Sequence, residues 1–347
     1  MKLTRRHFLA ASAIAGLGII GGYLFLFSGK QREPIIPSIN DGDADSVSGA
    51  SRVYIVETSN REEGVRMLLH EFQDIDFRDK SVALKANFNS ADPPPASTHP
   101  DTLTALMAHL QDAGAGTVTL AERSGMGNTG AVLRSMGVND LGERLGFHVI
   151  NLDTLAADGW EKIEADWLTW RDGFHIAKTF RESDRVIQIC CLKTHRYGGH
   201  FTMTLKNSVG LIAKTIPGDT HDYMTELHGS PHQRDMIAEI NAFYITDIAI
   251  MDAVQAFTTG GPATGNIVQP NLMLASRDRV ALDAVGVAIL RSHGTTQEVM
   301  NGPIFEQDQI RRAAEIGVGA TSPEDIKLVP LNDGATEKAQ EINEYLR

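Results

Sequence analysis

Apolar and polar positions divide this chain into three regimes. Residues 8–29 form an uncharged, Gly/Ala-rich run, residues 30–50 (KQREPIIPSINDGDADSVSGA) have no periodicity, and from residue 51 short β-branched runs alternate with helical patterns. The pattern predicts strands at Val53–Val56, Ser81–Lys85, Thr117–Leu120, His148–Ile150, Arg185–Cys190, Asp247–Met251 and Asn271–Ala275. Helical spacing fills segments between them, most clearly 101–113 and 278–291. Strands alternating with helices imply an α/β fold, a mostly parallel sheet with helices on both faces. Residues 51–330 are expected to form one large domain, with two lobes as the alternative, and residues 331–347 a C-terminal tail or helix.

The first regime has a second reading. Thr4-Arg5-Arg6-His7-Phe8-Leu9 opens the apolar run, as in a twin-arginine export signal, and at about 1.5 Å per residue the run can span a ~30 Å hydrocarbon core. The expectation is a periplasmic or periplasm-facing protein that uses the twin-arginine translocation machinery. Cleavage of the signal and retention of residues 8–29 as a membrane anchor both fit, with residues 30–50 as the tether.

Charge and cysteine content narrow the chemistry. A formal net charge of -12 argues against nucleic acid as partner. The only cysteines, Cys190 and Cys191, are neighbours in an apolar strand, point to opposite faces, and cannot hold an iron–sulfur cluster alone; they read as buried free thiols.

In open parallel sheets ligands bind beyond the C-terminal strand ends, so the polar residues there carry the functional reading. They are Lys85-Ala86-Asn87, Lys193-Thr194-His195, the following Leu205-Lys206-Asn207 through Gly210, Ile250-Met251-Asp252-Ala253, and Ala275 to Gly286. As an ordered set they resemble the domain-of-unknown-function 362 family of bacteria and archaea over most of residues 80–290. That family name implies a fold and no reaction, and the cysteine-rich ferredoxin-like module of some relatives is missing here. A distant likeness to nickel-pincer lactate racemases, which combine lysine and histidines in an α/β cleft, rests on no aligned motif.

Lys85, Lys193 and Lys206, with the amides of Asn87 and Asn207, are candidates to bind a small anion such as a carboxylate or phosphate. His195, His200, His221, His228 and His232 crowd one stretch. Imidazoles at His195, His221, His228 and His232 are candidate ligands for a divalent zinc, iron or nickel ion, although their spacing fits no known signature. Ser230-Pro231-His232-Gln233 resembles a capping box that would place His232 in a first helical turn. Gly125, Gly127 and Gly130 fit G-x-G-x-x-G, with Asp153 further on, the outline of an NAD(P) fingerprint. Asp252 fits either catalysis or an Asx turn, and Asp278 a helix cap. Asp283 borders the apolar stripe of 278–291 and needs a partner, for which a strand-end lysine is the expectation. Three functions remain open: an enzyme acting on a small anion with a histidine-bound metal, with Lys193, His195 and Asp252 as catalytic groups; a nicotinamide-dependent oxidoreductase; and a non-catalytic anion-binding exported protein.

Overall fold

A computed structural model describes residues 50–125 and 127–347. The twin-arginine motif, the apolar run 8–29 and nearly all of the tether lie outside these residues. Among the described residues no helix is long and apolar enough to cross a membrane.

The protein is built on a mixed, mostly parallel sheet. Its strands are β1 (Ser51–Glu57), β2 (Val82–Lys85), β3 (Val118–Glu122), β4 (His148–Asn151), β7 (Arg185–His195), β8 (His200–Thr202), β9 (Ile248–Gly260), β10 (Gly265–Val268), β11 (Leu272–Ser276) and β12 (Ile326–Pro330). Two further strands, β5 (Trp160–Ile163) and β6 (Phe174–Ala177), pair separately. The main order is β12-β1-β11-β9-β7-β2-β3-β4, with β8 on β7 and β10 on β9. Along that order only β11 is reversed, pairing antiparallel with β1 and β9. The predicted α/β class with a mostly parallel sheet is therefore what forms.

Period-two alternation explains the layers. In β1, Val53 and Ile55 enter one core with the helices Arg279–Ser292 and Asp333–Leu346, while Tyr54 and Val56 enter another with Arg61–His70 and Pro100–Asp112. Successive strand side chains face opposite ways, so both faces need a helical cover. The same alternation separates the thiols of Cys190 and Cys191, which are free, buried and pushed well up and to about 11, respectively, chiefly by burial.

Several elements outrun the sequence pattern. Strands β7 and β9 continue past Cys190 and Met251, because their outer halves pair with β8 and β10 as hairpins. The C-terminal helix Asp333–Leu346 is part of the fold, placing Ala335, Ala339, Ile342 and Leu346 in the core. Asp278 caps Arg279–Ser292 by accepting from Val280 N and Ala281 N at 2.8 and 2.9 Å, worth about 1 kcal/mol. The expected capping box at Ser230 does not form: the helix Gln233–Ile240 starts after His232, which caps it without a side-chain bond.

Chain order fixes where a ligand belongs. From β2 the chain steps outward to β3 and β4, then returns on the other side of β2 as β7. This reversal between β2 and β7 is a topological switch point, where flanking loops diverge and leave a crevice.

Candidate functional site

A cavity of about 930 Å³ opens at that crevice. Its lining includes Lys85 at the end of β2 and Asn87 just beyond it, Glu122 at the end of β3 and Arg123 next to it, Lys193 and His195 at the end of β7, and Lys206 and Asn207 on the one-turn helix Thr204–Asn207. Six of the seven residues expected to meet around an anion therefore share one space. The seventh, Asp252, does not line it. Its Oδ1 accepts from Val254 N at 3.1 Å, an Asx turn, and its Oδ2 accepts from Arg61 Nε at 2.7 Å and Thr102 Oγ1 at 3.2 Å. Placing Asp252 in the cleft is corrected accordingly: it is one half of a buried ion pair.

The floor is a hydrogen-bonded lattice. Lys85 Nζ donates to Glu122 Oε1 at 2.7 Å, Asn207 Oδ1 at 3.2 Å and Ala86 O at 2.5 Å. Glu122 also accepts from Arg123 N and Phe88 N. Gly210 permits this contact, for a Cβ there would lie 2.8 Å from Lys85 Nζ and 3.1 Å from Glu122 Oε1. Lys193 is wholly buried, and its Nζ donates to Asn87 Oδ1 at 2.7 Å, to Pro95 O and to Ala96 O, all neutral acceptors. Burial holds both ammonium groups below their ordinary range, with the neighbouring Glu122 partly opposing the shift at Lys85.

Lys206 and His195 differ from that lattice. Lys206 is 8% exposed, yet no hydrogen-bond or ion-pair partner reaches its amine among the described residues. Desolvation, helped by the charge of Arg123, brings it down to about 8. The Nδ1 of buried His195 likewise has no partner. Burial first, then the charges of Lys206, Lys193 and His228, hold this imidazole well below its usual value, and therefore neutral. Both side chains pack on Gly199, where a Cβ would stand 3.0 Å from His195 Nδ1 and 3.0 Å from Lys206 Cε.

Arg123 closes the other side. Its guanidinium donates to Ser124 O at 3.0 Å and to Val209 O, leaving Nε buried and unpaired, and burial lowers it to about 10. Arg123 and Glu122 were not singled out in the sequence because the third strand reads as ending at Leu120. The strand-end rule applied two residues later would have found them.

The four candidate metal ligands do not assemble. His195 and His228 line the cavity, and His228 Nδ1 lies 2.8 Å from Met224 O. His221 sits in a second, polar cavity, held by Arg171 and by Glu226 at 2.7 Å. His232 projects outward, 63% exposed, beside Asp235. Among the described residues no three His, Cys, Asp or Glu side chains are grouped to hold a metal ion.

The glycine-rich loop is divided. Gly125 and Gly127 line the cavity and Gly130 does not; the latter lies in the seven-residue helix Thr129–Ser135. Gly125 N donates to Asn89 Oδ1 at 2.7 Å, so this amide is already engaged. Asp153, expected to meet a ribose, instead accepts from Thr129 Oγ1 at 2.5 Å and Lys214 Nζ at 2.9 Å. Asp283 also departs from expectation. Among the described residues no lysine pairs with it; it accepts from Thr204 N at 2.8 Å, Leu205 N at 3.1 Å and the Thr204 hydroxyl, fixing the start of the turn that carries Lys206.

Fold and site together define an α/β protein with a cationic cavity at the switch point of its sheet. The chain belongs to the family described as Domain of unknown function (DUF362), whose model matches residues 82–288, from the start of β2 into the helix Arg279–Ser292. No curated protein matches the chain in sequence.

Proposed function

We propose that this protein is an enzyme that binds a small anion at the switch-point cavity and moves a proton on it. The observation that carries the reading is Lys206: a largely buried side chain whose amine faces the cavity with no counter-ion, beside a neutral imidazole with an unpaired Nδ1. Isolated charge inside a protein is expensive, and an arriving carboxylate or phosphate oxygen would supply the missing partner. An amine near 8 exchanges protons readily at neutral pH, the condition for general acid–base work. In this reading Arg123 binds negative charge and the buried Lys193 favours it through its field, while Lys206 or His195 accepts the proton of a breaking C–H or O–H bond, whose electron pair stays on the substrate. The amides of Asn87 and Asn207 keep Lys85 and Lys193 in place. The twin-arginine segment supports export of the folded protein to the periplasm, with the anion met there.

The test is a panel of small carboxylates and phosphates, screened by thermal shift and then, for binders, by proton NMR in D2O. Expected are ligands that raise the melting temperature and exchange a substrate hydrogen for deuterium, with both effects lost in Lys206→Met. Binding without exchange or other turnover would leave only the binding half. An unshifted melting temperature across the panel would remove the anion site itself.

A further inference from the structure

Taking the cavity as the anion site argued above, we propose that its ligand carries two anionic groups, one seated by Lys206 and His195 within the field of Lys193, and the other by Arg123 beside His228.

The lining cations are Lys85, Arg123, Lys193, Lys206 and Arg234, and the lining carboxylate is Glu122. Glu122 is taken by Lys85 at 2.7 Å, and Arg234 reaches out of the cavity to Asp308 at 2.7 Å. Lys193, Lys206 and Arg123 then remain without an ion-paired carboxylate among the described residues, though Asp153, Glu122 and Asp222 act on Arg123, and Asp92 on Lys193, from further off. A single negative charge leaves most of that excess uncompensated. Two anionic groups come close to matching it, in a protein whose overall charge is -12.

Strand order also separates the cations: Lys193 lies on β7 and Arg123 follows β3, on opposite sides of β2. Lys206 belongs to the His195 side, since both side chains pack on Gly199. Each seat contains a buried nitrogen still lacking a partner: His195 Nδ1 on one side and Arg123 Nε on the other. A guanidinium is a planar fork suited to carboxylate or phosphate, and the carbonyls of Ser124 and Val209 hold this one in place.

Calorimetric titration of the protein with matched acids tests the charge count directly: butyrate against succinate, valerate against glutarate, and caproate against adipate. The expected result is that at least one diacid binds at least tenfold more tightly than its monoacid. Arg123→Met should cut that ratio to less than twofold by weakening the diacid more than the monoacid, with His228→Gln lowering it in the same direction. His228→Gln serves as the independent variant if Arg123→Met does not fold. Equal affinities in all three pairs would overturn the two-group proposal and leave the single-anion reading standing. A diacid preference untouched by either variant would also overturn it, by placing the second group elsewhere. Failure of every acid to bind would remove the anion site as well.

Discussion

Replacing Lys206 with methionine should make this protein more stable and less able to bind anions. The side chain is largely buried, its amine lacks a partner, and it is brought from 10.5 down to about 8 by desolvation. At about 1.4 kcal/mol per tenfold, keeping it charged at pH 7 costs the folded state about 3 kcal/mol. The folded form gives up the proton at lower pH than the unfolded form. The cost is thus fully present below about 8 and is relieved as pH rises towards 10.5. Methionine keeps the length and removes the charge, so Lys206→Met should gain about 3 kcal/mol at pH 7 and progressively less towards pH 10.5. Urea unfolding followed by the fluorescence of Trp160, Trp167 and Trp170 measures this at each pH. A variant less stable than the parent, or a gain that does not change with pH, would show that the ammonium is compensated in the folded state and refute the reasoning. The trade of stability for a binding charge is the usual one at functional sites.

Other predictions follow from the same contacts. The Asp283 carboxyl is pushed up to about 7 by burial, which outweighs its hydrogen bonds to Thr204 and Leu205. Because this folded-state value is raised, its stabilisation is full below about 4 and lost as pH rises to about 7. Parent and Asp283→Asn should therefore diverge by up to about 4 kcal/mol in unfolding free energy across that window, and parallel curves would contradict it. Gly210→Ala would press a methyl group against the Lys85 side chain and displace it from Glu122, costing about 1–3 kcal/mol in a urea titration and weakening anion binding. Asp252→Asn breaks the buried pair with Arg61 and should cost about 3 kcal/mol, yet leave anion affinity within about twofold in calorimetry, since Asp252 stands outside the cavity. His232→Ala should alter neither property, because that ring is largely in solvent.

What the sequence revealed and what it hid divide along physical lines. Lys85, Lys193 and their amide partners were legible because a charged residue ending an apolar strand has few places to go in a parallel sheet. Asp252 ends a similar apolar run, but β9 continues past it and turns its carboxylate to Arg61, a partner 191 residues away. The histidines misled because closeness in sequence gives no convergence in space: between His195 and His232 the chain passes through a strand, helical turns and a loop. Asp283 was correctly read as needing a partner. Its partners are backbone amides, which a side-chain pattern cannot display. The outer halves of β7 and β9 depend on hairpin pairing, and β12 is a short edge strand ending at Pro330, so neither stood out by composition.

The central claim is that Lys206 is an uncompensated amine waiting for an anion. An NMR titration of protein labelled with carbon-13 at the lysine ε position, with the Lys206 signal assigned from its absence in Lys206→Met, measures that amine directly. Without ligand, Lys206 should titrate near 8, and saturating succinate should move its midpoint upward as the carboxylate favours the charged form. A midpoint near 10.5 without ligand, unmoved by succinate, would contradict the account.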